Sequence, residues 1–172
     1  MGAFKGLRSL GVMLAISAAL AGCMQPDGYE VASTAGDQAF KDKQYDSAER
    51  GYLRAVEFAE QEYHKGQGES NLIEALKSLG KCYSAQNKYA EAEPHYLRAA
   101  QLLESKVGTD MVKSGKLSPD FENWVSVLLS VADNYRAEGK FADAEKTYKR
   151  VLDLEAKLTN PCLLYTSPSP RD

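Results

Sequence analysis

The sequence has little of what catalysis, metal binding or nucleic-acid binding requires. Only two histidines occur, His64 and His95. Both lie among charged residues, with no nucleophile or metal ligand at a suggestive spacing. The three cysteines, Cys23, Cys82 and Cys162, are too dispersed to form a paired cluster. A Walker-type phosphate loop and a nucleophile elbow are both missing; the short Gly66-Gln67-Gly68 reads as a helix stop. A basic excess is lacking too: 21 basic residues face 24 acidic ones, for a net charge of −3. Nucleic acid needs a basic footprint and is therefore not expected as a partner. The apolar run Leu10–Leu20 is too short to span a bilayer. No catalytic residue, cofactor site or metal site emerges, and no enzyme is expected in this chain.

What is present is periodic. Around the stretch Leu79–Leu103, Leu76, Leu79, Gly80 and Tyr83 fall three or four residues apart, on one face of a helix. After the polar break Gln86-Asn87-Lys88, a second face follows from Tyr89, Ala92, Tyr96, Ala99 and Leu103. This predicts two antiparallel helices, with Gly80 and Ala92 at a tight crossing. The pattern recurs downstream at Phe141, Ala144 and Tyr148, preceded by Leu128, Val131, Ala132 and Tyr135. Upstream it recurs at Tyr45, Ala48, Tyr52 and Ala55, preceded by Ala32, Ala35, Gly36 and Ala39, where Ala39 replaces the expected aromatic. A lone hairpin cannot bury its single apolar face, so the copies should stack. Corresponding aromatics are 44 residues (Tyr45 to Tyr89) and 52 residues (Tyr89 to Phe141) apart. The expected fold class is all-α, with antiparallel helical hairpins stacked as a short solenoid over 29–160. The hairpins should span about 29–65, 70–107 and 119–158.

Local signals refine this picture. Ser70 or Asn71 can cap the second hairpin, and Ser118 can cap a helix beginning at Pro119 or Asp120. Glu104 to Asp120, rich in turn formers, reads as an insertion. Pro94 sits near the start of a helix that should tolerate it. Trp124, the only tryptophan, and Cys82 read as core packing. Leu152, Leu154 and Leu158 supply more apolar surface than the last hairpin can use, so some should be exposed and promote self-association.

The repeated residues resemble the tetratricopeptide repeat family. Leu76, Leu79, Gly80, Tyr83, Ala92, Tyr96 and Ala99 match its signature positions in order, and KYAEAEPHYLRAAQLLESKVG is similar to the longer repeats of kinesin light chains and many bacterial proteins. Both spacings exceed the family's usual interval of about 34 residues. The resemblance implies that the first helices line a concave groove taking a protein or peptide partner. Carried over residue by residue, the groove positions are Glu30, Ser33, Asp37, Phe40 and Lys41 in the first copy. The second copy supplies Glu74, Lys77, Lys81, Ser84 and Ala85; the third supplies Ser126, Leu129, Asp133, Arg136 and Ala137. Lys77 and Lys81, one turn apart, would form a basic centre open to acidic groups. The asparagine-and-lysine clamp of chaperone-binding members is not reproduced.

The ends read differently from the middle. Lys5 and Arg8 before Leu10–Leu20 have the form of a signal peptide over 1–22. Leu20-Ala21-Gly22-Cys23 resembles the lipobox of bacterial lipoproteins, which implies a lipid on Cys23, a short tether over 23–28 and an outer-membrane location facing the periplasm. Cys162–Asp172 resembles a translated sequencing adapter, so 161–172 should be a tail following a truncation near Pro161. Without the signal and tail the net charge is about −5. The expected function is a lipid-anchored scaffold or adaptor holding other envelope proteins at a membrane. The alternative is the N-terminal regulatory or recruitment part of a larger envelope enzyme whose catalytic domain is missing.

Overall fold

The computed structural model describes residues 28–114 and 118–159. The expected signal peptide, Cys23 and the tail lie outside the described residues, as does the side chain of Leu158. Six helices follow in order: α1 (Gly28–Lys41), α2 (Tyr45–Tyr63), α3 (Glu69–Ala85), α4 (Tyr89–Ser114), α5 (Phe121–Glu138) and α6 (Phe141–Thr159). No strand occurs among the described residues. Each helix packs against its neighbours in sequence, giving three hairpins stacked side by side. The all-α hairpin stack anticipated from periodicity is the fold observed. No helix among the described residues is long and apolar enough to cross a membrane.

One turn closes all three hairpins. Lys43, Asn87 and Gly139 occupy equivalent positions and take positive φ of 58°, 59° and 83°. In each, the next residue's N–H donates to a carbonyl five residues back. The three bonds are Gln44 to Ala39 at 2.8 Å, Lys88 to Tyr83 at 3.0 Å and Lys140 to Tyr135 at 2.9 Å. This Schellman arrangement satisfies carbonyls the helix end would leave orphaned. Between the first two hairpins, Gly66 and Gly68 are also left-handed, at 79° and 71°. Their helix stop is as expected.

The caps differ from expectation. Gly68 is the N-cap residue of α3, and no side chain caps that helix. Ser70 instead accepts a hydrogen bond from Lys106, 3.1 Å away. Ser118 Oγ does accept from the Asp120 N–H, at 3.3 Å, but the helix begins one residue later, at Phe121. The anticipated insertion after Glu104 is largely helical: α4 runs unbroken past Pro94 and Gly108 to Ser114. Tertiary contacts override the turn formers there. Val107 is fully buried and Lys106 pairs with Asp120 at 2.8 Å, which ties the extension to α5. This added length accounts for much of the 52-residue interval.

The main core joins the second and third hairpins. Leu72, Ile73, Leu76, Leu103, Val107, Phe121, Trp124, Val127 and Leu128 form one buried cluster with Ala59 at its edge. Phe121 meets Trp124 edge to face at 5.8 Å. Cys82 is buried with Ala48, Tyr52 and Leu79, its thiol 3.5 Å from the Tyr45 carbonyl. Burial pushes that thiol up, so it behaves as packing. The first hairpin is built from small residues, with Ala32, Ala48, Ala55 and Ala59 buried.

Equivalent side chains hold successive hairpins in register. Glu49 on α2 accepts from Tyr83 at 3.4 Å, Gln86 at 3.2 Å and Lys88 at 3.2 Å, all from the following hairpin or its turn. Burial opposes the Glu49 charge, but these bonds and the Lys88 charge outweigh it and hold the carboxyl below its usual range. In the next hairpin Glu93 pairs with Lys140 at 2.6 Å and with the Tyr135 hydroxyl. A second rung joins Arg98 to Glu60 and Arg150 to Glu104. Exposed ion pairs of this kind contribute at most about 1 kcal/mol each, so apolar burial supplies the stability and the pairs set alignment.

The outward face of α6 departs from this pattern. Where α4 carries Leu97, Ala100 and Leu103, α6 carries Lys149, Leu152 and Glu155. Glu145, equivalent to Glu49 and Glu93, pairs with Lys149 of its own helix at 2.6 Å. Leu152 is 63% exposed as expected, whereas Leu154 is buried at 8%. Among the described side chains of this face, the surplus apolar surface is centred on Leu152 rather than shared by several leucines.

Candidate partner-binding face

Helices α1, α3 and α5 lie next to one another and present a common face. Lys81 of α3 stands over the Phe40 ring of α1, 5.2 Å from its centroid. On the other side, Lys77 Nζ donates to Asn123 Oδ1 of α5 at 2.8 Å, and Ser84 Oγ lies 3.2 Å from Asn134 Oδ1. Asn134 is buried and donates to the Tyr89 carbonyl at 2.8 Å, which fixes α5 against the turn of the second hairpin.

All ten residues singled out on the first helices are at least partly accessible. Glu30, Asp37, Lys41, Glu74, Lys81, Asp133 and Arg136 are exposed, while Phe40, Lys77 and Ser84 are half-buried. The two lysines expected to form a basic centre are not equivalent. Lys77 is neutralised by Glu74 at 2.9 Å as well as bonded to Asn123. Lys81 makes no ion pair among the described residues and keeps its charge toward solvent. Ser84 is committed to Asn134, so part of its hydrogen-bonding capacity is spent inside the fold. An open cleft where α3, α4 and α5 meet is lined by Ser84, Tyr89, Tyr96, Asp133, Asn134 and Arg136.

Sequence reasoning overlooked the tyrosines that orient this face. The Tyr52 hydroxyl donates to Asp37 Oδ1 at 2.8 Å, and fifteen residues likewise separate Asp133 from Tyr148, whose hydroxyl donates to it at 2.6 Å. Burial, then the hydrogen-bonded and charged Asp37, push the Tyr52 phenol far up, so it remains a donor. The same fifteen-residue step recurs from Lys81 to Tyr96 in the middle copy. That constant spacing was the available signal. Gly80 serves the same contact: an added Cβ there would lie 2.9 Å from the Tyr96 ring, so the crossing expected with Ala92 is governed by Tyr96.

No group of three or more His, Cys, Asp or Glu capable of holding a metal ion occurs among the described residues. His95 is stacked on Tyr83 at 5.6 Å, and burial followed by the Arg98 charge pulls its pKa down. His64 is exposed at the end of α2.

No curated protein matches the chain. Family models described as tetratricopeptide repeat match residues 30–105 and 127–161, which touch all three hairpins and leave out the end of α4, the start of α5 and the junction between them. Together with six helices in three stacked pairs, these matches place the chain in the tetratricopeptide repeat family, whose repeats are protein-interaction modules.

Proposed function

We propose that this protein is a membrane-anchored scaffold or adaptor of the bacterial envelope, holding partner proteins on the face formed by α1, α3 and α5. The observation that carries the reading is the chemistry of that face. Three successive first helices leave a contiguous run of accessible, mostly charged side chains, while the apolar stripe of each hairpin is consumed by stacking. Such a surface binds by complementarity of charge and shape and offers no machinery for bond making.

Anchoring rests on Cys23 and the residues before it. Lys5 and Arg8, the apolar Leu10–Leu20 and the small residues Ala21 and Gly22 form a secretory signal ending at a cysteine. A lipidated Cys23 only five residues before α1 would hold the stack close to a membrane surface, with outer-membrane retention facing the periplasm. Expressed in a bacterial host, the protein should partition into detergent. Cys23→Ser should accumulate as an uncleaved precursor. Normal processing of that variant would remove the lipid anchor from the account and leave the interaction module standing.

A further inference from the structure

We propose that the first-helix face selects a peptide in the polyproline II conformation carrying one acidic residue flanked, three residues away on each side, by basic residues. This rests on the reading of that face as the partner-binding surface. Equivalent positions of the three hairpins carry Asp37, Lys81 and Asp133. The outer two are held alike, each by a tyrosine hydroxyl from its own second helix, at 2.8 and 2.6 Å. Both tyrosines bond Oδ1, and both aspartates remain exposed. Arg136, 3.3 Å from Asp133, shares that carboxylate and makes the third position the weaker of the two. The middle position breaks the pattern with Lys81, an exposed cation without an ion pair among the described residues, held over Phe40. The face therefore presents negative, positive, negative in line across the stack.

Helix-packing distances convert this order into a ligand spacing. Adjacent packed helices lie about 8–10 Å apart; the first helices meet through side chains, Lys81 over Phe40 and Lys77 on Asn123, which puts equivalent residues at the upper end of that range, about 10 Å. A chain in the polyproline II conformation advances about 3.1 Å per residue with three residues per turn, so three residues span one step and return the side chain to the same face. A basic side chain at each outer position and an acidic one at the centre would meet Asp37, Asp133 and Lys81 together. A docked helix is disfavoured because it needs an apolar stripe to seat it. The only large apolar groups at the predicted contact positions are Phe40, half-buried, and Leu129, just over one-third exposed.

The test uses the full chain and synthetic peptides patterned Lys-x-x-Glu-x-x-Lys, with serine and glycine at x, in low-salt titration calorimetry. This peptide should bind at least about tenfold more tightly than the inverted Glu-x-x-Lys-x-x-Glu, a difference of about 1.4 kcal/mol. Raising the salt concentration should weaken it. Lys81→Glu, at an exposed site that leaves the core untouched, should abolish the preference, and a peptide with lysine at all three positions should restore binding to that variant. Equal binding of both patterns, preference for charges seven residues apart as a helix would place them, or indifference to Lys81→Glu would each overturn the proposal. If proteins still contact this face while the peptides show no charge preference, the interaction surface stands and the charge pattern falls.

Discussion

Gly51→Ala should destabilise the protein by about 2 kcal/mol, whereas the same substitution at Gly108 should stabilise it by up to about 1 kcal/mol. Both glycines lie inside helices, where alanine is intrinsically favoured by about 0.8–1 kcal/mol. Surroundings decide the sign. A Cβ on Gly51 would stand 2.7 Å from the Cα and N of Gly36 and 3.2 Å from the Ala32 carbonyl oxygen. These are main-chain atoms of α1, which can move only if the helices separate. Overpacking of a well-fitted core costs about 1–3 kcal/mol, occasionally more, which outweighs the propensity gain. Around Gly108 a Cβ meets nothing within 4 Å, so the propensity gain acts alone. Urea unfolding of the two variants measures both values. Equal effects of the same sign would mean that α1 and α2 do not cross at this pair of glycines.

Trp124→Ala should be the most damaging single truncation, costing about 3–5 kcal/mol. The indole is 7% exposed within the largest cluster, against Phe121, and the Arg150 guanidinium lies over its ring at 5.4 Å. Its removal would open a cavity where α4, α5 and α6 meet. Because its indole N–H has no hydrogen-bond partner among the described residues, shape and burial carry the contribution. Trp124→Phe should therefore lose clearly less than Trp124→Ala, because the ring that remains leaves a smaller cavity. Comparable losses for both variants would point to a specific role of the indole beyond packing.

The parts of the fold written in local periodicity were legible from sequence. Tyr45, Tyr89 and Phe141 open the second helix of each hairpin, and most positions read as inward-facing, such as Ala48, Tyr52, Leu76, Leu79, Ala92 and Tyr96, are buried, whereas Ala35 and Phe141 are exposed. The continuation of α4 beyond Glu104 was not. Its glycine, threonine and aspartate read locally as a turn, and burial of Val107 against residues of other helices decides otherwise. The face shows the same limit. Which residues occupy the first helices follows from spacing, and so could the Glu74–Lys77 ion pair three residues apart, but the bond that ties Lys77 to α5 depends on Asn123, forty-six residues away. Partners that distant leave no local pattern. The tyrosine–aspartate pairs are the exception, since a fifteen-residue step inside one hairpin repeats and could have been read.

The central claim is that partners are held on the first helices, and site-specific photocrosslinking tests it most directly. A photoreactive amino acid would be placed singly at Leu129 or Ala137 on the first-helix face, and at Glu57 or Gln101 on exposed second-helix positions, in the full chain within its native cell. All four positions are exposed, so incorporation should leave the fold intact. The account predicts discrete protein adducts from the first-helix sites alone, diminished when Lys81→Glu is combined with them. Adducts arising only from the second-helix sites, or equally from both sets, would contradict it.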